Sequence, residues 1–551
     1  MYQARHLVTL ISDDVGSRIV KLDPIDQAVI SQGLLASARE MGAKLIRSAY
    51  STILREARDG SAAILDRHGS VVAQADLIPL QLGPIGETFK PCAAVVAPED
   101  LQEGDFYINN SPFEGGQHLP DVYIFSPIFV EGSLIGFSAS VAHHLDLGGG
   151  APGMNPNATD IHQEGVIIPP SRYNLKRDWN GGPFERFITA NIRVPELTIG
   201  DFNAQLAANA IGAERVRQLC LRYGAKTITD VMEEHLDYSE RRMRSALSKV
   251  PDGIYVGEDA IDDDGIHDEP LPIKATVTVS GDDIAVDFTG SAPQILLNLN
   301  CPFASTVSSV LAAVKAVVSS PDIPFNDGLT RPISVSAPYG SILNPKPPVP
   351  VRARSVAASR IFDAVVKALA KAVPDKVIAT GFGTPYSLCL SKLANESFSI
   401  YIEIFGGGYG AGAESDGCDG VDGPMSNCSN IPIEALDQKY DYFRVTEYAI
   451  RDGSGGMGRH RGGHGLRRKY EILADNVTLA HYSDRYRFTS DGAFGGEPGA
   501  TARTKILRAN GEEINMGSKA SLTLGKGDIL VGETGGGGGY GAPLQTDSHR
   551  Q

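Results

Sequence analysis

The first strong pattern along the chain is helical. Apolar residues recur at helical spacing from Pro24 to about Tyr50, at Ile25, Val29, Ile30, Leu34, Ala38, Met41, Leu45 and Ile46. Asp23 is the predicted N-cap, and Pro24 takes the first helical position, where its missing N–H is not needed. We therefore predict a long amphipathic helix here.

Alternating and β-branched runs then predict hairpins, and helical spacing returns between them. The predicted strand pairs are 61–65 with 70–75, 122–130 with 134–142, and 273–279 with 284–288. Further helices are predicted within 201–250, at 304–318 and at 355–372. Residues 258–269 are predicted to form an acidic loop. Beyond about residue 440, short apolar runs alternate with glycine, which predicts strands at 466–473, 477–481, 505–508, 521–524 and 529–531.

These elements predict a mixed α/β (α+β) protein. We expect a large N-terminal α/β domain over residues 1–250, which carries the 122–142 hairpin. A mixed middle domain would follow over 251–440, and a β- and glycine-rich C-terminal module over 441–551.

Charge and composition exclude several classes of protein. The 551 residues carry 50 Lys and Arg against 66 Asp and Glu, a formal net charge of −16. Such a field repels phosphate backbones, so we expect no nucleic-acid partner. No uncharged apolar run reaches membrane-spanning length, and the first residues lack the apolar region of a signal peptide. Six scattered cysteines without a Cys-x-x-Cys pair favour a reduced, cytoplasmic protein.

The 122–142 hairpin brings together residues that could carry chemistry. With its turn centred on Gly132, facing residues have numbers that sum to about 264, and their Cβ atoms lie about 5 Å apart. Asp121 then lies opposite His143, and His118 lies near Asp146. Two His-x-x-Asp pairs thus converge at the open end of one hairpin.

Imidazole and carboxylate groups are ligands expected for Zn²⁺, Mn²⁺ or Fe²⁺ at catalytic sites. The predicted ligands are taken from His118, Asp121, His143, His144 and Asp146. His143 and His144 should point to opposite faces of the strand, so only one of them need be a ligand. His162 and Glu164, in a later polar loop, are predicted to add a ligand or to move protons. The alternative is that these side chains hydrogen-bond only one another and the loop backbone.

The remaining motifs indicate less about function. Glycine makes up 61 of the 551 residues and clusters at 406–412, 453–465 and 535–541. Two of these clusters match Gly-x-Gly-x-x-Gly in letters, but neither opens a helix within a βαβ unit, so dinucleotide binding is not predicted. Neither a phosphate-binding P-loop nor a Gly-x-Ser-x-Gly elbow occurs. The charged segment 55–59 is interpreted as a solvated face or as a clamp for an anionic substrate group.

The chain resembles the hydantoinase B/oxoprolinase family along its whole length. The stretches that carry the resemblance are RDGSAA (58–63), SPFEGGQHLPD (111–121), HHLDLGG (143–149), QEG (163–165), NCP (300–302) and GGGGGYG (535–541). Three positions depart from the family pattern: Gly60 where Phe is usual, Gln117 where Thr is common, and His162 where an aromatic residue is expected.

The resemblance implies a division of labour. A hydantoinase A-like partner subunit would bind ATP and Mg²⁺ and phosphorylate the amide or enol oxygen of the substrate. The B-type chain would then carry out attack by water on the activated ring, with a zinc or manganese ion. In the related acetone carboxylase branch, a metal-binding His-x-x-Asp pair maps onto His143 and Asp146.

The leading hypothesis is therefore the B subunit of an ATP-dependent hydrolase that opens a hydantoin, oxoproline or lactam ring. The expected assembly is a dimer of heterodimers with the ATP-binding partner. One alternative is a subunit of a ketone carboxylase of the acetone or acetophenone type. Another is a scaffold subunit without catalytic groups of its own.

Overall fold

The computed structural model describes residues 23–75 and 77–543. The first residues, in which the sequence indicated no signal peptide, lie outside this part. Among the described residues, no helix has both the length and the apolar character needed to cross a bilayer.

Helix and strand occur throughout the described chain, so the predicted mixed α/β class is confirmed. The helices are α1 (Pro24–Ser48), α2 (Thr52–Arg55), α3 (Pro79–Leu82), α4 (Ile85–Val95), α5 (Pro183–Asn191), α6 (Pro195–Tyr223), α7 (Ala225–Leu247), α8 (Phe303–Val318), α9 (Asp327–Thr330), α10 (Arg354–Leu369) and α11 (Ile433–Lys439). The predicted N-cap of α1 is confirmed, because the Asp23 side chain accepts a hydrogen bond of 2.8 Å from the Ile25 N–H.

The strands before residue 340 are β1 (Gly60–Asp66), β2 (Val71–Gln74), β3 (Asp105–Asn109), β4 (Asp121–Val130), β5 (Ser133–His143), β6 (Ser171–Asn174), β7 (Gly253–Ile261), β8 (Leu271–Ser280), β9 (Asp283–Asp287) and β10 (Ile333–Ser336). Those after it are β11 (Tyr386–Ala394), β12 (Ser397–Phe405), β13 (Phe443–Arg451), β14 (Gly465–Ile472), β15 (Val477–Tyr482), β16 (Arg503–Leu507), β17 (Glu513–Met516), β18 (Lys519–Leu524) and β19 (Ile529–Glu533). All three predicted hairpins are present.

A six-stranded sheet of order β2-β1-β5-β4-β3-β6 forms the first layer. Helices α1 and α6 pack together and cover one face of it. On the other face Phe89 of α4 contacts Phe125 and Phe137 edge-on, with ring centroids 5.5 and 4.7 Å apart. Because both faces are covered, β4 and β5 are buried along most of their length, and so is the open end of their hairpin.

A four-stranded sheet of order β10-β9-β8-β7 follows, with α8 and α10 packed on it. Part of the predicted acidic loop at 258–269 is wrong, since β7 continues to Ile261. Packing of β7 against α10, and not the charge of the segment, explains why the strand continues. Gly257 of β7 lies against α10 so closely that a Cβ atom would meet the Ala364 carbonyl oxygen at 2.0 Å. Exposed acidic side chains can alternate with such contacts along a strand.

Two further sheets have the orders β12-β11-β15-β18 and β13-β14-β19-β16-β17. The sequence predicted five of these nine strands, but not β11, β12, β13 or β17. The sheet that contains β11 and β15 takes strands from both sides of residue 440. The three-part domain division therefore stays a prediction.

Glycine-rich segments next to these sheets pack backbone against backbone. Residues 535–541 form a central extended segment whose N–H groups donate to several neighbours. The acceptors include the carbonyl groups of Thr380, Gly463, Ala493, Glu497 and Ala500. Added Cβ atoms would collide with backbone throughout this glycine bundle: at Gly462 the Gly537 oxygen would be 1.8 Å away, and at Gly408 the Gly463 oxygen 1.9 Å. The glycine clusters thus have a packing role.

We predict that Gly537→Ala destabilises the protein by about 3 kcal/mol or more, because its Cβ would lie 2.0 Å from the Tyr409 carbonyl oxygen and backbone cannot move aside cheaply. Gly517→Ala is the matched control, because its nearest atom is 4.0 Å away. Denaturant unfolding of both variants measures the difference, and equal loss in the two would contradict the packing argument.

A buried histidine predicts a pH dependence of stability. His481 contacts the Ser387 carbonyl oxygen and the Tyr486 hydroxyl, and burial lowers the pKa of its imidazole from 6.5 to about 4. Between these pKa values the unfolded chain binds a proton that the folded chain excludes, so stability falls as pH drops below 6.5. Between pH 7 and pH 5 wild type should lose about 2 kcal/mol more than His481→Gln. Urea unfolding at the two pH values checks this, and the exposed His68→Gln should retain the wild-type dependence.

Candidate metal centre

The register of the β4–β5 hairpin brings the first two candidate residues together. Asp121, the first residue of β4, pairs with His143, the last residue of β5, as the turn arithmetic predicted. The predicted sum of 264 holds up to Ile128, beyond which an irregularity shifts the pairing by one residue. His118 lies in the turn just before β4, where its carbonyl group accepts from the Asp121 N–H at 3.1 Å.

His118, Asp121 and His143 form a compact buried group. Each offers a ligand atom, and these atoms all lie within 4.8 Å of one another. The His118 Nε2 atom is 3.2 Å from Asp121 Oδ1, and the His143 Nδ1 atom is 3.4 Å from the same oxygen. The two imidazole rings are tilted, with centroids 4.9 Å apart. None of the three side chains is more than 7% exposed.

The hydrogen bonding of this group is incomplete. The Nε2 atoms of His118 and His143 are buried and have no hydrogen-bond partner among the described residues. A buried polar atom without a partner is costly, so each such atom calls for an explanation. His118 Nε2 and His143 Nδ1 both converge on Asp121 Oδ1, and two imidazoles and a carboxylate in this arrangement fit a divalent cation.

Asp59 is a fourth member of this buried group. The sequence had indicated only that it belongs to the charged segment 55–59. It immediately precedes β1, and its carbonyl oxygen accepts from the His143 N–H at 3.0 Å. Its carboxylate lies 3.6 Å from His143 Nδ1 and accepts a 2.8 Å hydrogen bond from Gln81. Burial, opposed by His143 and reinforced by Asp121, raises the pKa of Asp59 to about 6. Asp59 was not predicted as a member of this group because its place depends on the pairing of β1 with β5, which are far apart in the chain.

Arg354, the first residue of α10, neutralises Asp121. Its Nη2 atom donates to Asp121 Oδ2 at 2.6 Å and to Gln117 Oε1 at 2.9 Å. Gln81 donates to the other oxygen, Oδ1, at 3.2 Å. Burial alone would raise the pKa of Asp121, but His118 and Arg354 outweigh it and hold that pKa well below its usual range. Asp121 therefore stays a carboxylate, the form that binds cations.

His144 and Asp146 lie outside the group. His144 points to the opposite face, as the strand alternation predicted, where its Nε2 atom is 3.0 Å from Gln205 Oε1 and its ring stacks on Phe202. Burial lowers the pKa of His144 to about 4. Asp146 accepts from the Arg193 backbone N–H at 2.8 Å and from its guanidinium at 3.0 Å. Thus the His-x-x-Asp pair of the group is His118 with Asp121.

His162 and Glu164 occupy contrasting positions. His162 is exposed in the 3-10 turn Ile161–Gln163. Glu164 is 4% exposed, and its carboxylate accepts from the N–H groups of Val351 and Arg352. Burial raises the pKa of Glu164 to about 7, although both backbone hydrogen bonds oppose the shift. Neither side chain contacts the three-residue group.

Removal of the Arg354 cation should leave an unpaired buried charge on Asp121. We expect Arg354→Met to lower the free energy of unfolding by about 3–5 kcal/mol, and the double variant Arg354→Met/Asp121→Asn to recover most of it. Arg241→Met, which removes an exposed pair with Glu234, should change stability by less than about 1 kcal/mol. Denaturant unfolding would contradict this if the double variant were no more stable than the single one.

Comparison with known proteins covers the full described chain. Residues 23–543 match the model of the family described as hydantoinase B/oxoprolinase. The putative B subunit of a D-/L-hydantoinase from Pseudomonas sp. (strain NS671) is 34% identical over 96% of this chain and 92% of its own length.

Solved structures show the same fold. The crystal structure of ATP-dependent caprolactamase from Pseudomonas jessenii superimposes with a TM-score of 0.88 at 28% identity, over 96% of this chain and 93% of that one. A nucleotide-free structure of acetone carboxylase gives a TM-score of 0.86 at 17% identity, over 95% of this chain and 76% of that one, which is a likeness of fold alone. The chain belongs to the hydantoinase B/oxoprolinase family.

Proposed function

We propose that this chain is the B subunit of an ATP-dependent hydrolase that opens a cyclic amide ring. The observation that carries the proposal is the buried His118, Asp121 and His143 group with its two unpartnered imidazole nitrogens. Family membership narrows the chemistry, since the similar proteins include a putative hydantoinase and a caprolactamase.

His118, Asp121 and His143 would hold a zinc or manganese ion, with Asp59 as a further oxygen ligand. A divalent cation bound there supplies Lewis-acid activation of water or of a carbonyl group. The protein's own part is to keep Asp121 ionised through Arg354 and to orient Asp59 through Gln81. The predicted ligands His144 and Asp146 are instead paired with Gln205 and Arg193.

Proton transfer by His162 or Glu164 is not part of this proposal. Both oxygens of Glu164 face backbone N–H groups, and His162 lies at the surface. An ATP-binding partner of the hydantoinase A type would bind ATP and Mg²⁺ and phosphorylate the substrate, and this chain would carry out the attack of water that follows.

Elemental analysis and turnover test the proposal together. The purified wild-type chain should contain close to one equivalent of zinc or manganese, and His143→Ala and Asp121→Asn should lose it. Mixed with its ATP-binding partner, ATP and a panel of hydantoin, oxoproline and lactam rings, wild type should open one ring class. The two variants should lose at least about 100-fold in kcat.

His267→Ala is the matched control, because His267 also pairs with an aspartate three residues away, Asp264, but in an exposed loop. It should retain both metal and activity. Full metal content and full activity in His143→Ala with Asp121→Asn would refute the proposal. Bicarbonate-dependent consumption of a ketone, with no ring opening, would favour the carboxylase alternative instead.

A further inference from the structure

Glu164 is a buried carboxylate that the proposed chemistry leaves without a role. Its Oε1 atom accepts from the Val351 N–H at 3.1 Å and from the Arg352 N–H at 2.8 Å, and its Oε2 atom is also 3.1 Å from the Val351 nitrogen. The surrounding turn adds a second attachment, since the Ile161 N–H donates to the Pro348 carbonyl group at 2.8 Å. Residues 161–164 therefore clamp the segment 348–352 at two points.

The clamped segment carries two groups into the metal centre. The Arg352 carbonyl oxygen lies 3.1 Å from His118 Nδ1. Two residues later, the Arg354 guanidinium binds Asp121. The turn between them is closed by a 3.0 Å hydrogen bond from the Arg354 N–H to the Val351 carbonyl group. Any shift of Val351 and Arg352 would thus move the partners of both His118 and Asp121.

The two contacts at His118 Nδ1 demand opposite tautomers. A carbonyl oxygen can only accept, so the Arg352 contact requires a proton on Nδ1 and leaves Nε2 with a free lone pair. The Arg354 Nη1 atom, 2.9 Å from the same nitrogen, can only donate and requires Nδ1 to be bare. Only the first arrangement leaves Nε2, which faces Asp121 Oδ1, available to bind a cation. A hydrogen bond from the other ring nitrogen commonly fixes the tautomer of a metal-binding histidine.

We propose that Glu164 is a positioning residue of the metal centre. It fixes the Arg352 carbonyl group against His118 Nδ1 and so keeps His118 Nε2 free to bind a divalent cation. Glu164 reaches the centre only through Arg352 and His118, and this role depends on the metal centre of the proposed function.

The test is metal affinity of the isolated full chain, with no turnover required. The metal-free protein is titrated with Zn²⁺ or Mn²⁺ against a chelator of known affinity. Glu164→Gln should bind the ion about 10- to 100-fold more weakly than wild type, because the amide NH2 replaces one acceptor oxygen and opposes the Val351 N–H, so the Arg352 carbonyl group is held less firmly. Glu164→Asp, which keeps the charge but shortens the reach, should lie between the two and carries the test if Glu164→Gln does not fold.

Asp262→Asn is the matched control. Asp262 is also a fully buried carboxylate that accepts from backbone N–H groups, those of Arg487 at 3.0 Å and Phe488 at 3.1 Å, but it lies outside the metal group. Its substitution should lower stability and leave metal affinity at the wild-type value. An equal loss of affinity in Asp262→Asn would mean that general destabilisation, not positioning, is measured, and would overturn the inference.

A double-mutant cycle separates positioning from a plain structural role. In a His118→Gln background the tautomer no longer matters, so Glu164→Gln should cost little further affinity. The inference is overturned if Glu164→Gln costs as much affinity there as in wild type, or if it costs none in wild type. Absence of metal binding by wild type itself would instead refute the proposed function, so the two failures are distinguishable.

Discussion

The buried charge of Asp121 is the constraint on which the candidate metal centre depends. A carboxylate with no exposed surface must be compensated, because the desolvation cost of a lone buried charge amounts to several kcal/mol. The compensating group, Arg354, comes from 233 residues farther along the chain and stands at the start of α10. The six-stranded sheet and α10 therefore have to meet at this point. His118, His143 and Gln81 contact the same carboxylate.

Helix α10 also ties the centre to the glycine bundle. Arg360, fully buried, donates to the Phe382 carbonyl group at 3.2 Å and to the Thr384 hydroxyl at 2.9 Å. Phe382 in turn donates its N–H to the Gly408 carbonyl group, inside the bundle. Because the segments of the bundle touch largely through backbone atoms, it offers little room for sliding. Arg360 lies less than two helical turns from Arg354, so the bundle supports the part of α10 that holds the Arg354 guanidinium in place.

The adjacent residues His143 and His144 make contacts on different sides of the sheet. His143 ends β5 and His144 follows it, yet one joins the convergent group and the other packs against Phe202 behind the sheet. The alternation of side chains, continued one residue beyond the strand, agrees with this division.

Several features of the fold and one pair of the site could be predicted from the sequence, because they depend on neighbouring residues. The N-cap of α1, the three hairpins and the pairing of Asp121 with His143 depend on turn position and strand alternation, which neighbouring residues determine. The repeated His-x-x-Asp spacing was less informative. The same spacing places Asp121 within the group but leaves Asp146 paired with Arg193.

The site residues that the sequence did not predict depend on contacts between residues far apart in the chain. Asp59 joins the group only because β1 pairs with β5, and Arg354 only because α10 packs where it does. The role of Glu164 depends on a clamp across 187 residues. The sequence by itself determined the family, the three hairpins, several of the helices and one pair of the site. Tertiary structure decided which carboxylates are buried beside which cations, because burial and pairing of charge are properties of the packed chain and not of local spacing.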